Sequence, residues 1–227
     1  NRARVLSELG RHAEAIEALD RLLALAPGTH EALINRGNAC QALKRYDEAV
    51  ASFRAALALA PDHPVYHNNL ANALKELHRE PEALVHYERA LALQPQYADA
   101  WNNRGTTLLQ LNRFADAVAS FDRALALVPD HVVYRNNRGP GLVRLKRYAE
   151  AIADFDAVLE PEPAFPYVLG KRFAAQAACA DWRGWDEAVA GIERGCRERR
   201  PVALPLTVLG ATDDPVAQLE AARVWST

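Results

Sequence analysis

Prolines recur at Pro27, Pro61, Pro95, Pro129 and Pro163, separated by one constant interval. A period that short restricts the chain to folds in which a small unit stacks on copies of itself, because one such unit cannot bury its apolar face alone. Other columns keep the same register. Alanine stands at Ala15, Ala49, Ala83, Ala117 and Ala151, and a large apolar group follows at Leu19, Phe53, Tyr87, Phe121 and Phe155. The next apolar column is Leu22, Ala56, Ala90, Ala124 and Val158. Earlier in each repeat comes a small residue: Ala3, Gly37, Ala71, Gly105 and Gly139.

Each column has a physical cause. The small residue and the alanine let two helices approach closely, and the aromatic fills the space between repeats. The proline stops the second helix, since its ring cannot continue the turn. The run Asp47–Leu57 shows the apolar spacing of a helix. Each repeat therefore reads as two antiparallel helices, over 31–43 and 47–60 in the first complete one.

A repeat of this length closing on Ala56–His63, with small and aromatic columns so placed, resembles the tetratricopeptide repeat. The resemblance spans 1–165: a partial repeat over 1–29, then complete ones over 30–63, 64–97, 98–131 and 132–165. It implies an all-α fold, a right-handed superhelical solenoid of antiparallel helix pairs, with the first helix of each pair on the concave side. The sequence departs from the pattern twice. The tryptophan expected early in the repeat is present only at Trp101, and Pro140 falls inside a first helix between Gly139 and Gly141. An interior proline costs about 3 kcal/mol, which predicts a kink or early break there.

One column is polar: Asn1, Asn35, Asn69, Asn103 and Asn137. Asparagine is a mediocre helix former, and the neighbouring columns vary, so copying of a duplicated repeat does not account for it. By the resemblance, this column lines the groove, with Asn38, Asn72, Asn68 and Asn102 beside it. A carboxamide both donates and accepts, so a ladder of them can pair with the backbone of an extended guest whatever its side chains. Helices pack about 8–10 Å apart and an extended chain advances about 3.3 Å per residue. One rung then meets every third or fourth guest residue. The other reading is that these amides bond between helices and hold the stack. No set of lysines and arginines converges on this face: its other columns are Glu31, Val65, Asp99, Val133 and Asn38, Asn72, Thr106, Pro140, with Lys75 isolated.

Past Pro166 the period falters. A degenerate sixth repeat or cap is expected over 166–200, with Trp185–Val189 echoing Tyr46–Val50. An apolar loop is expected over Pro201–Gly210, and a last helix after Asp213-Asp214-Pro215, where carboxylates favour a helix N-terminus. Cys179-Ala180-Asp181-Trp182, Trp185-Asp186, Gly195, Pro201, Pro205 and the run Asp213–Trp225 resemble the junction between repeats and catalytic domain in bacterial O-linked N-acetylglucosamine transferase (Spindly-like) proteins. That resemblance implies a linker and helix over 201–227 leading to a further C-terminal domain. It makes this chain the substrate-recognition arm of a protein glycosyltransferase that uses a UDP-sugar. The alternative is a free-standing scaffold or adaptor.

Composition narrows the partners. Net charge is −2, and the one basic run, Arg194–Arg200, is interrupted by Glu198, so nothing here displaces counterions from nucleic acid. No apolar run is long enough to span a bilayer, and no signal peptide is visible at Asn1. Absence of an initiating methionine points to a fragment. Three cysteines, Cys40, Cys179 and Cys196, make no disulfide framework, and Cys40 occupies a column suited to burial. A reducing, cytoplasmic setting is expected. The histidines, His63 and His67 included, do not form a ligand set. No phosphate-cradling or nucleophile motif is found, so the chain is expected to carry no catalytic residues and no cofactor. Its expected partner is a protein or unstructured peptide in the groove, with a homodimer through the tail helix around Trp225.

Overall fold

The computed structural model describes residues 2–226, and among these there are fourteen α-helices and no strand. The chain divides into two compact halves, 1–112 and 113–227. The first half holds α1 (Arg2–Glu8), α2 (His12–Leu25), α3 (His30–Ala42), α4 (Tyr46–Leu59), α5 (Pro64–Glu76), α6 (Glu80–Leu93) and α7 (Ala98–Gln110). The helices expected over 31–43 and 47–60 are α3 and α4, with ends displaced by one position. Pro27, Pro61 and Pro95 each stand just past the end of a second helix, as chain-stopping prolines do.

Within a repeat, the small-residue column of the first helix makes room for the ring on the second. A methyl group at Gly37 would lie 2.3 Å from the Phe53 ring, which is fully buried. The ring, expected to fill the space between repeats, lies on one side against the glycine of its own repeat. In the next repeat Ala71 takes the glycine's place and Tyr87 that of the phenylalanine.

The two helices of a repeat are joined by a turn whose early part contains a left-handed residue. These are Gly10, Lys44, His78, Asn112, Lys146 and Ala180, with φ between 54° and 73°. Around Lys44 the Arg45 N–H bonds the Cys40 carbonyl and the Lys44 N–H bonds the Gln41 carbonyl, both at 2.9 Å. This doubly bonded helix end satisfies carbonyls that the helix itself leaves orphaned. After the first five of these turns an arginine begins the second helix and pairs with an acid one turn on: Arg11–Glu14, Arg45–Glu48, Arg79–Glu82, Arg113–Asp116 and Arg147–Glu150.

The second half holds α8 (Phe114–Leu127), α9 (Val132–Arg144), α10 (Tyr148–Leu159), α11 (Val168–Ala178), α12 (Trp185–Arg197), α13 (Pro205–Ala211) and α14 (Pro215–Trp225). The break expected at Pro140 does not occur, and α9 runs on to Arg144. Gly139, Gly141 and Leu142 are buried around it, and that packing outweighs the lost backbone bond. A methyl group at Gly139 would lie 2.3 Å from the Phe155 ring.

The tail folds on a core of its own, made by Phe173, Ala188, Ile192, Cys196, Val202, Val208 and Ala217 with their neighbours. Trp185 packs on Phe173 with centroids 4.0 Å apart, while Trp182 meets Trp185 edge-on and stays 59 % exposed. The expected loop over Pro201–Gly210 is corrected: its second part is α13, begun by Pro205 at the first helical position. The Asp214 carboxylate caps α14 by accepting the Val216 N–H at 3.0 Å. Cys40 and Cys196 are buried, Cys179 is exposed, and all three are free thiols.

Candidate functional site

In the first half, α1 touches α3, α3 touches α5 and α5 touches α7, whereas α2, α4 and α6 touch first helices only. Helices closer together on one side bend that half into an arc with α3, α5 and α7 on its inner face. Asn35, Asn69 and Asn103 sit at equivalent positions on these three helices, each half-buried. Asn1 lies outside the described residues.

The amides are wired to one another. Asn69 Nδ2 donates to Asn38 Oδ1 at 3.1 Å, and Asn103 Nδ2 donates to Asn68 Oδ1 at 3.2 Å. Longer bonds run from Asn68 Nδ2 to Asn69 Oδ1 at 3.5 Å and from Asn102 Nδ2 to Asn103 Oδ1 at 3.4 Å. Each carboxamide has two N–H groups and two lone pairs, so these bonds do not exhaust Asn69 or Asn103. Asn35 makes no side-chain hydrogen bond to a described residue and is part exposed. Asn38 is exposed. Asn72 accepts from the Tyr87 hydroxyl at 2.5 Å. Burial pushes that phenol well above its usual range, so it stays protonated and engages the oxygen of Asn72 rather than its amide nitrogen.

Asn68 and Asn102 differ from the rest. They are 4 % and 9 % exposed, and their amides serve neighbouring rungs rather than the open face. In the second half, Asn137 is half-buried on α9, and Asn136 beside it accepts from Lys171 Nζ at 2.8 Å. Around the rungs of the first half stand the exposed Glu31, Asp99 and Val65, and Lys75 is paired with Glu76 at 3.4 Å.

Two further columns have roles that residue identity alone hides. The column holding Leu33, His67, Trp101 and Arg135 looks random. Yet His67 Nε2, Trp101 Nε1 and an Arg135 nitrogen each lie within 3.0 Å of the carbonyl of the proline that closes the preceding repeat, at Pro61, Pro95 and Pro129. From the second complete repeat on, the position keeps an N–H donor, and tryptophan is one way to supply it. A second column, Arg36, Leu70, Arg104 and Arg138, bonds acids on the preceding second helix: Arg36 to Asp20 at 2.6 Å, Arg104 to Glu88 at 3.2 Å and Arg138 to Asp122 at 2.5 Å. The next member, Arg172, bonds Asp156 in the same way. Where the arginine is missing, at Leu70, the acid is missing too, and residue 54 is arginine. Charge pairs at that fixed spacing are the sequence signal for it.

Among the described residues no group of three potential metal ligands converges, and no helix is long and apolar enough to cross a membrane.

The profile of the tetratricopeptide repeat matches residues 1–64, 68–132 and 104–168. No curated protein matches the chain. Among solved structures, a tetratricopeptide repeat protein from Parabacteroides merdae superposes with a TM-score of 0.78 at 20 % identity, over 99 % of this chain and 90 % of that one. PilW, a widely conserved type IV pilus biogenesis factor, gives 0.77 at 21 % identity over 98 % and 94 %. YrrB, described as a repeat protein with an unusual peptide-binding site, gives 0.66 at 19 % identity over 92 % and 99 %. At such identities these likenesses speak for the fold.

Proposed function

We infer the function from one premise: the chain belongs to the tetratricopeptide repeat family. It is a protein-binding module in which the inner face of α3, α5 and α7 holds an extended peptide segment through side-chain amides. The observation that carries this reading is Asn35, a part-exposed carboxamide in register with Asn69 and Asn103 and without a described partner. An amide left open in a helix, in register with Asn69 and Asn103 whose amides bond neighbouring asparagines, is suited to a guest backbone. A preformed row limits the entropy lost on capture. The peptide-binding site named for the structurally similar YrrB supports the choice of guest.

The test is a displayed library of unstructured peptides, panned against the protein, with the recovered peptides measured on Asn35→Ala. Binding weakened by several-fold with unchanged melting supports the reading, since Asn35 holds no described protein group. Recovered peptides that bind Asn35→Ala, Asn38→Ala and Asn72→Ala as tightly as the natural chain would sink it.

A finer reading attaches this module to a protein O-GlcNAc transferase-like enzyme as its substrate-recognition arm. Its support is the tail sequence from Cys179 to Asp186 and from Asp213 to Trp225. Transfer of N-acetylglucosamine from its UDP-sugar to serine or threonine peptides by the full-length natural protein is expected. No transfer would leave the scaffold reading alone.

A further inference from the structure

The repeat over 64–97 brings two imidazoles together where its sisters do not. His67 stands in the column of Leu33, Trp101 and Arg135, and His86 in that of Ser52, Ser120 and Asp154. His67 Nε2 already does what its column does, facing the Pro61 carbonyl at 2.9 Å. The serines at the other position turn back on their own helices, Ser52 to the Glu48 carbonyl and Ser120 to that of Asp116. A histidine at 86 is therefore not required by the joint. What it adds is a second ring nitrogen. His86 Nδ1 lies 3.1 Å from His67 Nδ1, with the rings inclined by 24° and their centroids 5.4 Å apart.

That separation is close to the bite of a metal ion. Two nitrogens each about 2.0–2.1 Å from one Zn²⁺ at the tetrahedral angle stand about 3.3–3.4 Å apart. The Pro61 carbonyl takes the Nε2 hydrogen of His67, which leaves a lone pair on its Nδ1. A backbone carbonyl on the far nitrogen is the support that metal-bound histidines commonly have. His86 makes no other hydrogen bond to a described residue, so its one ring hydrogen can move to Nε2 and free Nδ1. Burial holds both imidazoles below their ordinary value, and the neutral ring is the form that binds metal. His67 is 9 % exposed and His86 part exposed, so water reaches the pair from the His86 side. Asp62 and Glu82 face the pair opposite Arg89 and Arg54. Their carboxylates are engaged, Asp62 by Arg89 at 2.5 Å and Glu82 by Arg54 and Arg79, which leaves the two rings as the donors.

We propose that His67 and His86 form a two-nitrogen site for a late first-row divalent cation such as Zn²⁺, bound through both Nδ1 atoms with water completing its shell. Imidazole suits these ions, whereas Mg²⁺ takes oxygen. The ion ties α5 to α6. Helix α5 carries Asn69 and Asn72, and Tyr87 of α6 bonds Asn72, so the ion braces the helix pair that supports those amides.

The chain has seven histidines, so nitrogen-15 labelling of histidine gives a spectrum in which each ring nitrogen is followed. His67→Trp and His86→Ser, each borrowing the residue of a sister repeat, identify the two rings, and melting in metal-free buffer checks that both variants fold. Zn²⁺ is titrated into protein stripped with a chelator. The Nδ1 signals of His67 and His86 are expected to move together and to saturate at one ion per chain, and Mg²⁺ to leave them in place. Zn²⁺ should also raise the melting temperature of the natural chain, because the unfolded chain does not hold the two rings together, and should not raise that of His86→Ser. No movement of the two Nδ1 signals at excess Zn²⁺, every ring shifting alike, or a rise in melting temperature that persists in His86→Ser overturns the proposal. An equal response to Mg²⁺ reduces it to a salt effect and overturns it too. None of these outcomes bears on the amide row, whose test is Asn35→Ala.

Discussion

The repeats over 64–97 and 132–165 share a backbone and differ in how their helices are tied. In the later repeat Arg138 bonds both oxygens of Asp154 at 2.7 Å and reaches Asp122, and Asp154 is 1 % exposed. In the earlier one the same place is Leu70, which is 1 % exposed, with Arg54 turned outward to Glu82 and His86 where Asp154 would be. The later repeat has Gly139 under Phe155, whereas the earlier has Ala71 with Tyr87. One joint is ionic with a plain ring, and the other is apolar with a hydroxylated ring and a histidine pair. The architecture thus specifies geometry at the joint and leaves its chemistry open, provided that all partners change together.

Arg138→Met should break that balance hardest. It leaves the buried Asp154 with only Arg135, 3.6 Å away, and is expected to destabilise the protein by about 3 kcal/mol in urea unfolding. Changing Arg138 and Asp154 together to leucine removes both buried charges and should recover most of that loss. A single mutant as stable as the natural protein would show the buried pair to be idle. Next in size is Gly139→Ala, where the added methyl collides with Phe155; a loss of about 1–3 kcal/mol is expected. Adding Phe155→Tyr should not rescue it, because the ring stays where the methyl must go. Full recovery in that double mutant would show that the earlier repeat's Ala–Tyr pairing is transferable as a unit.

The histidine pair gives the earlier repeat a pH dependence that the later one lacks. His67 Nε2 faces the Pro61 carbonyl at 2.9 Å, which can only accept, so that nitrogen carries the hydrogen. Neutral His67 then accepts at Nδ1 from His86 Nδ1, 3.1 Å away. Arg89 and Asp62 also face His67, and Glu82 and Arg54 face His86. Burial is the main cause that holds both imidazoles below the ordinary value of 6.5, and His67 adds to the effect on His86. Both are therefore neutral in the fold and take up protons more readily when unfolded. Their contribution is fully present above about pH 6.5 and is lost as pH falls from there toward the folded values, at no more than about 1.4 kcal/mol per pH unit for each proton. Unfolding curves between pH 7.5 and 5 should show this decline, and His67→Leu with His86→Leu should flatten it. A decline unchanged in that double mutant would place its origin elsewhere.

The smallest effect belongs to what both repeats share. Arg79–Glu82 and Arg147–Glu150 are solvent-facing pairs at helix starts, where water screens the attraction. Arg147→Ala should leave the urea midpoint unchanged within error. A clear fall in that midpoint would mean that the pair anchors the turn at Lys146.

The constant period makes the helices readable, because proline, alanine and aromatic columns each act within a short stretch of chain. Contacts that join distant residues are harder to see. The partner of Gly37 is a ring on the following helix, and sequence alone does not say whose space Phe53 fills. The local cost of Pro140 argues for a break, whereas burial of Gly139 and Leu142 decides the outcome. Helix α13 is too short to show a period, and its Pro205 looks like a breaker until it is seen at the first helical position. The asparagine column is legible as a row. Its division into part-exposed rungs such as Asn35 and buried connectors such as Asn68 and Asn102 depends on which side of each helix meets a neighbour.

Asn35→Ala and Asn69→Ala, measured side by side for melting temperature and for affinity toward a library-selected peptide, decide the role of the amides. Asn69 bonds Asn38, and Asn35 bonds no described residue. Weaker peptide binding by both variants is predicted, with a lowered melting temperature for Asn69→Ala alone. Full binding by Asn35→Ala, together with a melting loss for Asn69→Ala, would contradict the peptide-holding row and leave the amides as struts of the stack.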